Sequence, residues 1–258
     1  MKITFIGAGS AFNKKDFQSN MLIEGESGKK LLLDCGNYAT IAMQDMGIHG
    51  DNFADEIDAI YISHVHADHI GGLEEIAFCT FFNPNAPKIK LFCVSSLMHR
   101  LWDDSLKGGM GSYEGKVMHL TDYFECQPIS TNIGFSWDGL QFQTVQTVHF
   151  MNGFEIVPSF GLLMRRIGKD NPTVFITTDT QFCPNQIHKF YDLATDVFHD
   201  CETAPFKSGV HAHYTDLESL SDSTRAKMWL YHYQPDPPQS PEEDGFQGFV
   251  QKGQVFEF

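Results

Sequence analysis

Apolar and polar positions alternate at the start of the chain, which predicts strands over residues 3–6, 19–24 and 30–34, parted by Gly-bearing and charged turns. Residues 56–63 form a further apolar strand (Ile57, Ala59, Ile60, Ile62) that breaks at a cluster of histidines. Residues 89–94 read as another strand, 95–106 as a helix capped by Ser95 or Ser96, and 107–125, rich in Gly and polar residues, as a loop over the fold. Residues 135–148 read as two strands turning at Asp138-Gly139, and 160–166 with 173–178 as a second pair joined by Gly168-Lys169-Asp170-Asn171-Pro172. Residues 184–194 have helical period, 196–200 a short strand, 216–229 a further helix, and 228–232 a strand entry. The tail 235–245 is Pro-rich and acidic, and two short apolar segments follow it. Alternation of strands and helices without repeat or linker predicts one α/β domain spanning residues 1–258.

Composition narrows the class. With 42% hydrophobic residues the chain can bury a sizeable core, and no run of 18 apolar residues is present to cross a membrane. The opening segment, Met1 to Ser10, lacks the apolar stretch and cleavage site of an export signal, so a cytoplasmic protein is expected, with its six scattered cysteines reduced. The net charge of −15, with no Lys/Arg cluster beyond short pairs, disfavours long nucleic acids, whose phosphates are bound chiefly by cations. A small anion remains possible as substrate where bound metal ions supply positive charge. Gly7-Ala8-Gly9-Ser10 lacks the spacing of a dinucleotide-binding turn, and no helix-period segment follows it.

The chemistry concentrates in Ser63-His64-Val65-His66-Ala67-Asp68-His69, where three imidazoles and a carboxylate follow a buried strand directly. A loop at that place turns several donors toward one point, and neutral imidazole with carboxylate suits zinc, with manganese, iron or cobalt as alternatives. His64-x-His66-x-Asp68-His69 resembles the HxHxDH motif of the metallo-β-lactamase superfamily, and the rest of that pattern occurs in order along the whole chain. Asp34, in Asp34-Cys35-Gly36, matches the residue that supports the metal loop; His149, Asp179 and His232 each follow an apolar strand. The resemblance implies an αββα sandwich with two divalent ions at one rim, one held by His64, His66 and His149, the other by Asp68, His69 and His232, with Asp179 bridging.

Finer marks set the branch. Gly7-Ala8-Gly9-Ser10-Ala11 looks like the opening turn of ribonuclease Z-like members, and Glu202 with His213-Tyr214-Thr215 looks like their Glu paired with a downstream His-x-Thr. By that match the catalytic set is His213 as proton donor to the leaving oxygen, Glu202 as its orienting carboxylate, and Asp68; His211 is the weaker choice because it lacks the downstream Thr. Only 30 positions separate His149 from Asp179, which leaves no room for the long basic arm that grips tRNA in that branch. The missing arm, the chain length and Ser208 to Tyr214 resemble the phage anti-Pycsar proteins and their bacterial relatives. That resemblance implies a homodimer hydrolysing cyclic nucleotides such as cyclic CMP and cyclic UMP, in the host cytoplasm if phage-encoded, with residues 107–116 a candidate contact. The competing readings are a ribonuclease Z-like endonuclease, a lactonase, thioesterase or β-lactamase of the same fold, and a nucleotide-sequestering protein.

Overall fold

The computed structural model describes residues 1–48, 53–131, 133–170 and 173–258. Its strands form two seven-stranded mixed sheets. The first runs in the order Val255–Glu257, Lys2–Gly7, Asn20–Glu24, Lys30–Leu33, Ala59–Ile62, Lys90–Val94, Glu125–Ile129, antiparallel through its first four strands and parallel beyond them. The second runs Gly248–Phe249, Met228–Tyr231, Asp196–Asp200, Thr173–Ile176, Ile156–Arg166, Leu140–Met151, Phe135–Trp137, with its first four strands parallel.

Strand periodicity builds the layers. Leu31, Leu33 and Tyr61 project from one face of the first sheet into a shared core with Leu162, Met164, Ile176, Phe198 and Tyr231 of the second. Leu32, Ile60, Ile62 and Leu91, on the opposite face, pack under the helices Ala39–Asp45 and Leu73–Phe81. Phe175, Val197 and Leu230 do the same beneath helix Pro184–Leu193 on the outside of the second sheet. Each sheet is buried on both faces, which is why its parallel strands read as unbroken apolar runs. The result is the αββα sandwich, and the Tyr61 hydroxyl ties its halves by donating to the Phe160 carbonyl at 2.9 Å.

Two segments depart from the sequence reading. Residues 107–125 are ordered rather than looped: helix Ser95–Arg100 continues through a π-helical stretch, Leu101–Leu106, into helix Lys107–Met110, then a hairpin (Ser112–Tyr113, Lys116–Val117) and helix Leu120–Tyr123. Met110, Met118 and Tyr123 anchor that segment in the outer core, so its few apolar residues outweigh its polar composition. The expected helix over 216–229 is two single turns, Tyr214–Leu217 and Asp222–Arg225, because Ser221 turns to an extended conformation and caps the second through the Thr224 N–H. Of the turn expected at 168–172, Asn171 and Pro172 lie outside the described residues. No helix among the described residues is long and apolar enough to cross a membrane. Cys35, Cys93 and Cys201 are buried, and burial pushes all three thiols up.

Candidate metal centre

Seven side chains converge where strand ends of the two sheets meet. His64, His66, Asp68 and His69 leave strand Ala59–Ile62 of the first sheet; His149, Asp179 and His232 come from the second. Their donor atoms form two overlapping groups, His64/His66/His149/Asp179 and Asp68/His69/Asp179/His232, each within 4.8 Å, with Asp179 common to both.

Local structure explains how each side chain gets there. His149 lies inside strand Leu140–Met151 rather than after it: the register to Ile156–Arg166 slips between Val148 and Phe150, leaving His149 as the unpaired residue of a bulge. The bulge turns its ring inward, where Nδ1–H donates to the Val210 carbonyl (3.0 Å) and Nε2 faces His66 Nδ1 at 2.9 Å. His232 and Asp34 sit at strand ends with φ of 68° and 59°, and Thr178 beside Asp179 has φ 53°. Non-glycine residues hold such conformations only where the surroundings impose them, and here they break the strands where His232, Asp34 and, after Thr178, Asp179 face the cluster.

Asp34 supports the metal loop from below. Its carboxylate accepts from the Ser63 N–H (2.8 Å), the Ser63 hydroxyl (2.6 Å) and His69 Nδ1–H (2.8 Å), fixing the tautomer that aims His69 Nε2 at the centre. Gly36 completes the Asp-x-Gly signal: a Cβ there would lie 2.0 Å from the Asp68 carbonyl oxygen, so only glycine lets the metal loop approach. Replacing Asp34 with Ala should weaken metal binding by about 10–100-fold, as lost supporting hydrogen bonds do, in a competitive chelator titration.

Five buried atoms of the cluster, His64 Nε2, His69 Nε2, Asp179 Oδ1, Asp200 Oδ1 and His232 Nδ1, have no hydrogen-bond partner. Buried imidazoles and carboxylates that face one another unbonded would be costly alone, and they suit a divalent cation held between them. The titration of the groups follows. Burial pushes His149 down to about 4 and His64 well below the usual imidazole range, each in the neutral form a metal requires. Burial works against charge on His69 and His232 too, but Asp179, together with Asp68 and Asp34 for the first and Asp200 and Asp68 for the second, holds both well above that range. These shifts favour protons on His69 and His232 in chelated protein, and metal binding is expected to displace them. Calorimetry in buffers of different ionisation enthalpy should record proton release on metal binding, and the apparent affinity should fall as pH drops.

The structure does not bring His213 to this centre. His213 Nε2–H donates to the Ala204 carbonyl (2.9 Å), and Nδ1 accepts from the Thr215 hydroxyl (2.9 Å) and N–H (3.3 Å), capping helix Tyr214–Leu217. His211 stands at the cluster instead. Its Nδ1–H donates to Asp200 Oδ2 at 2.8 Å, 3.8 Å from Asp179 Oδ2, and its ring lies 4.6 Å from that of His232. Asp200, fully buried, also accepts from the Thr180 N–H (2.8 Å) and approaches His232 Nδ1 at 3.4 Å. The Glu202 carboxylate does not meet the histidine and accepts from the Ser208 N–H at 2.9 Å; Glu202 holds the His213 segment through its backbone, its N–H donating to the Ala212 carbonyl (2.8 Å) and its carbonyl accepting from the Tyr214 N–H (2.9 Å). Sequence reasoning passed over Asp200, although it ends a buried parallel strand in the same manner as the proposed ligands.

This architecture is the metallo-β-lactamase fold, and at its rim stands a His/Asp cluster that could hold metal ions. In the YhfI protein of Bacillus subtilis the same fold recurs over 99% of this chain and 98% of that one, at a TM-score of 0.75 and 16% identity. The family described as anti-Pycsar protein Apyc1 matches residues 1–256. The chain is 35% identical over 235 residues to the anti-Pycsar protein Apyc1 of Paenibacillus harenae, covering 90% of each. It is 36% identical over 249 residues to that of Bacillus phage 010DV004, covering 90% of this chain and 89% of the relative. The chain belongs to the anti-Pycsar Apyc1 family.

Proposed function

We propose that the protein is a dinuclear phosphodiesterase that opens 3′,5′-cyclic nucleotides such as cyclic CMP and cyclic UMP to nucleoside monophosphates, and so removes a host immune signal. The observation that carries this reading is the His211–Asp200 pair beside the His/Asp cage. His64, His66 and His149 would hold one ion, Asp68, His69 and His232 the other, and Asp179 both; zinc or manganese suits these donors. Two divalent ions there would supply Lewis acidity toward a phosphoryl oxygen and lower the pKa of water. Hydrolysis breaks the bond from phosphorus to a ribose oxygen and forms one to the oxygen of water. The departing alkoxide needs a proton, and His211 is placed to give it from Nε2. Burial disfavours the His211 imidazolium, but Asp200 outweighs that and raises its pKa, which favours the protonated donor.

The test is chromatographic product analysis of metal-reconstituted protein with cyclic CMP, UMP, AMP and GMP, a cyclic dinucleotide and a precursor tRNA. Conversion of cyclic mononucleotides with tRNA intact is expected; cleaved tRNA with intact cyclic nucleotides overturns the reading. We also infer a homodimer. The hairpin of residues 112–117 supports it by presenting Tyr113 and Val117 to solvent, and light scattering at twice the chain mass tests it.

A further inference from the structure

His64 is wedged between hydroxyl groups from both halves of the sandwich. Ser63 Oγ, at the end of a first-sheet strand, stands 3.0 Å from its Nδ1. Ser159 Oγ, from strand Ile156–Arg166 of the second sheet, stands 3.4 Å from the same atom. All three side chains are buried. His69 and His149 take their orientation from a carboxylate and a carbonyl, which can only accept. A hydroxyl can accept or donate, so it orients an imidazole only where its own proton is committed elsewhere.

Both protons are so committed. The Ser63 hydroxyl donates to Asp34 Oδ2 at 2.6 Å. Ser159 Oγ lies 2.7 Å from Thr178 Oγ1, and the Thr178 hydroxyl donates to the Thr177 carbonyl at 2.6 Å. With the Thr178 proton used there, the proton between the two hydroxyls belongs to Ser159. Each serine therefore turns a lone pair toward His64 Nδ1, which carries the hydrogen and leaves Nε2 bare. Nε2 is the atom that has no hydrogen-bond partner and lies 3.7 Å from Asp179 Oδ2.

The backbone around Ser159 is fixed from two directions. Its carbonyl accepts from the Thr147 hydroxyl at 3.2 Å, and the same hydroxyl reaches the Asp179 carbonyl at 3.1 Å. The next residue, Phe160, donates its N–H across the two sheets to the Ser63 carbonyl at 3.1 Å. Resting on the assignment of His64 to a metal ion, we propose that Ser159 is a positioning residue for that ligand: held by Thr178, it reaches from the second sheet and presents His64 Nε2 to the ion.

The experiment uses the full chain stripped of metal, titrated with zinc against a chromophoric chelator and with cobalt(II) followed by visible absorption. The parent should bind two ions, and His64→Ala should abolish one step. Ser159→Ala should weaken that same step by about 10-fold and leave the other unchanged; this is the low end for a lost supporting hydrogen bond, because Ser63 still accepts. Thr178→Ala should match it, whereas Thr178→Ser should keep the parent's affinity and cobalt spectrum. The Ser159→Ala/Thr178→Ala double variant should be no weaker than Ser159→Ala alone, since the two residues act through one contact. Ser159→Ala orphans no donor, because the Thr178 hydroxyl keeps the Thr177 carbonyl, so the metal-free variant should unfold near the parent's denaturant midpoint. Parent affinity in Ser159→Ala, with or without a lowered midpoint, makes Ser159 a packing residue and overturns the proposal while the metal centre stands. Equal weakening of both steps, or additive losses in the double variant, overturns it as well. A parent that binds neither zinc nor cobalt overturns the metal reading and this proposal with it.

Discussion

Asp179→Ala protein should emerge from metal reconstitution with at most a fraction of the parent's metal by elemental analysis, and its turnover of cyclic nucleotides should drop to background. Asp179 is fully buried and the only residue common to both donor groups, with its oxygens 3.3 Å from His69 Nε2, 3.6 Å from His232 Nε2 and 3.7 Å from His64 and His149 Nε2. Removing it deletes the carboxylate that faces these four imidazoles and that of His211, and the remaining donors cannot offset the lost charge. Those imidazoles are also what hold the Asp179 carboxyl well below the usual carboxylate range against the cost of its burial. Full metal content with full activity in the alanine variant would remove the basis for a shared bridge.

The second large effect separates two neighbouring histidines. His211→Ala should keep its metal and lose about 10²–10⁴-fold in kcat, the range for a removed general acid. Because Asp200 raises the pKa of His211 above the ordinary imidazole value, the parent's activity should hold through neutral pH and decline on the alkaline side as His211 loses its proton; the alanine variant should lack that limb. His213→Ala should instead keep most of its kcat and lose about 1 kcal/mol or more of stability, since it removes a helix cap and leaves the Ala204 carbonyl without its donor. Denaturant melts alongside steady-state rates check both. An inactive, normally stable His213→Ala protein would return the proton-donor role to that residue.

These two histidines mark how far the sequence could be read. The cluster was legible because four of its donors are adjacent in sequence, and Asp179 and His232 because strand ends carry them to the same rim. The choice between His211 and His213 was not legible, since the resemblance to ribonuclease Z-like members points to the His-x-Thr. In the fold the Thr215 N–H and hydroxyl bind His213 Nδ1, so the same threonine that marks His213 in sequence draws it away from the rim. Asp200 escaped notice because its role depends on the side chains brought beside it, His211 from a later loop and His232 from the next strand. Elsewhere, residues 107–125 were misread because composition was weighed above the spacing of Met110, Met118 and Tyr123. His149 was placed beyond its strand because a bulge leaves no mark in the alternation of residue types.

The donors also have an order in the chain that bears on folding. His66 and His149 are 83 positions apart, and Asp68 and His232 are 164, with one partner of each pair on each sheet. Ions held between them close long loops across the interface of the two halves, as a pair of disulfides would, but reversibly and without oxidation. A cross-link over a loop of that length withdraws about 4–5 kcal/mol of conformational freedom from the unfolded chain. Metals bound there would be rivets of the sandwich as well as reagents, and the free metal concentration around the protein would set how firmly its two sheets stay joined.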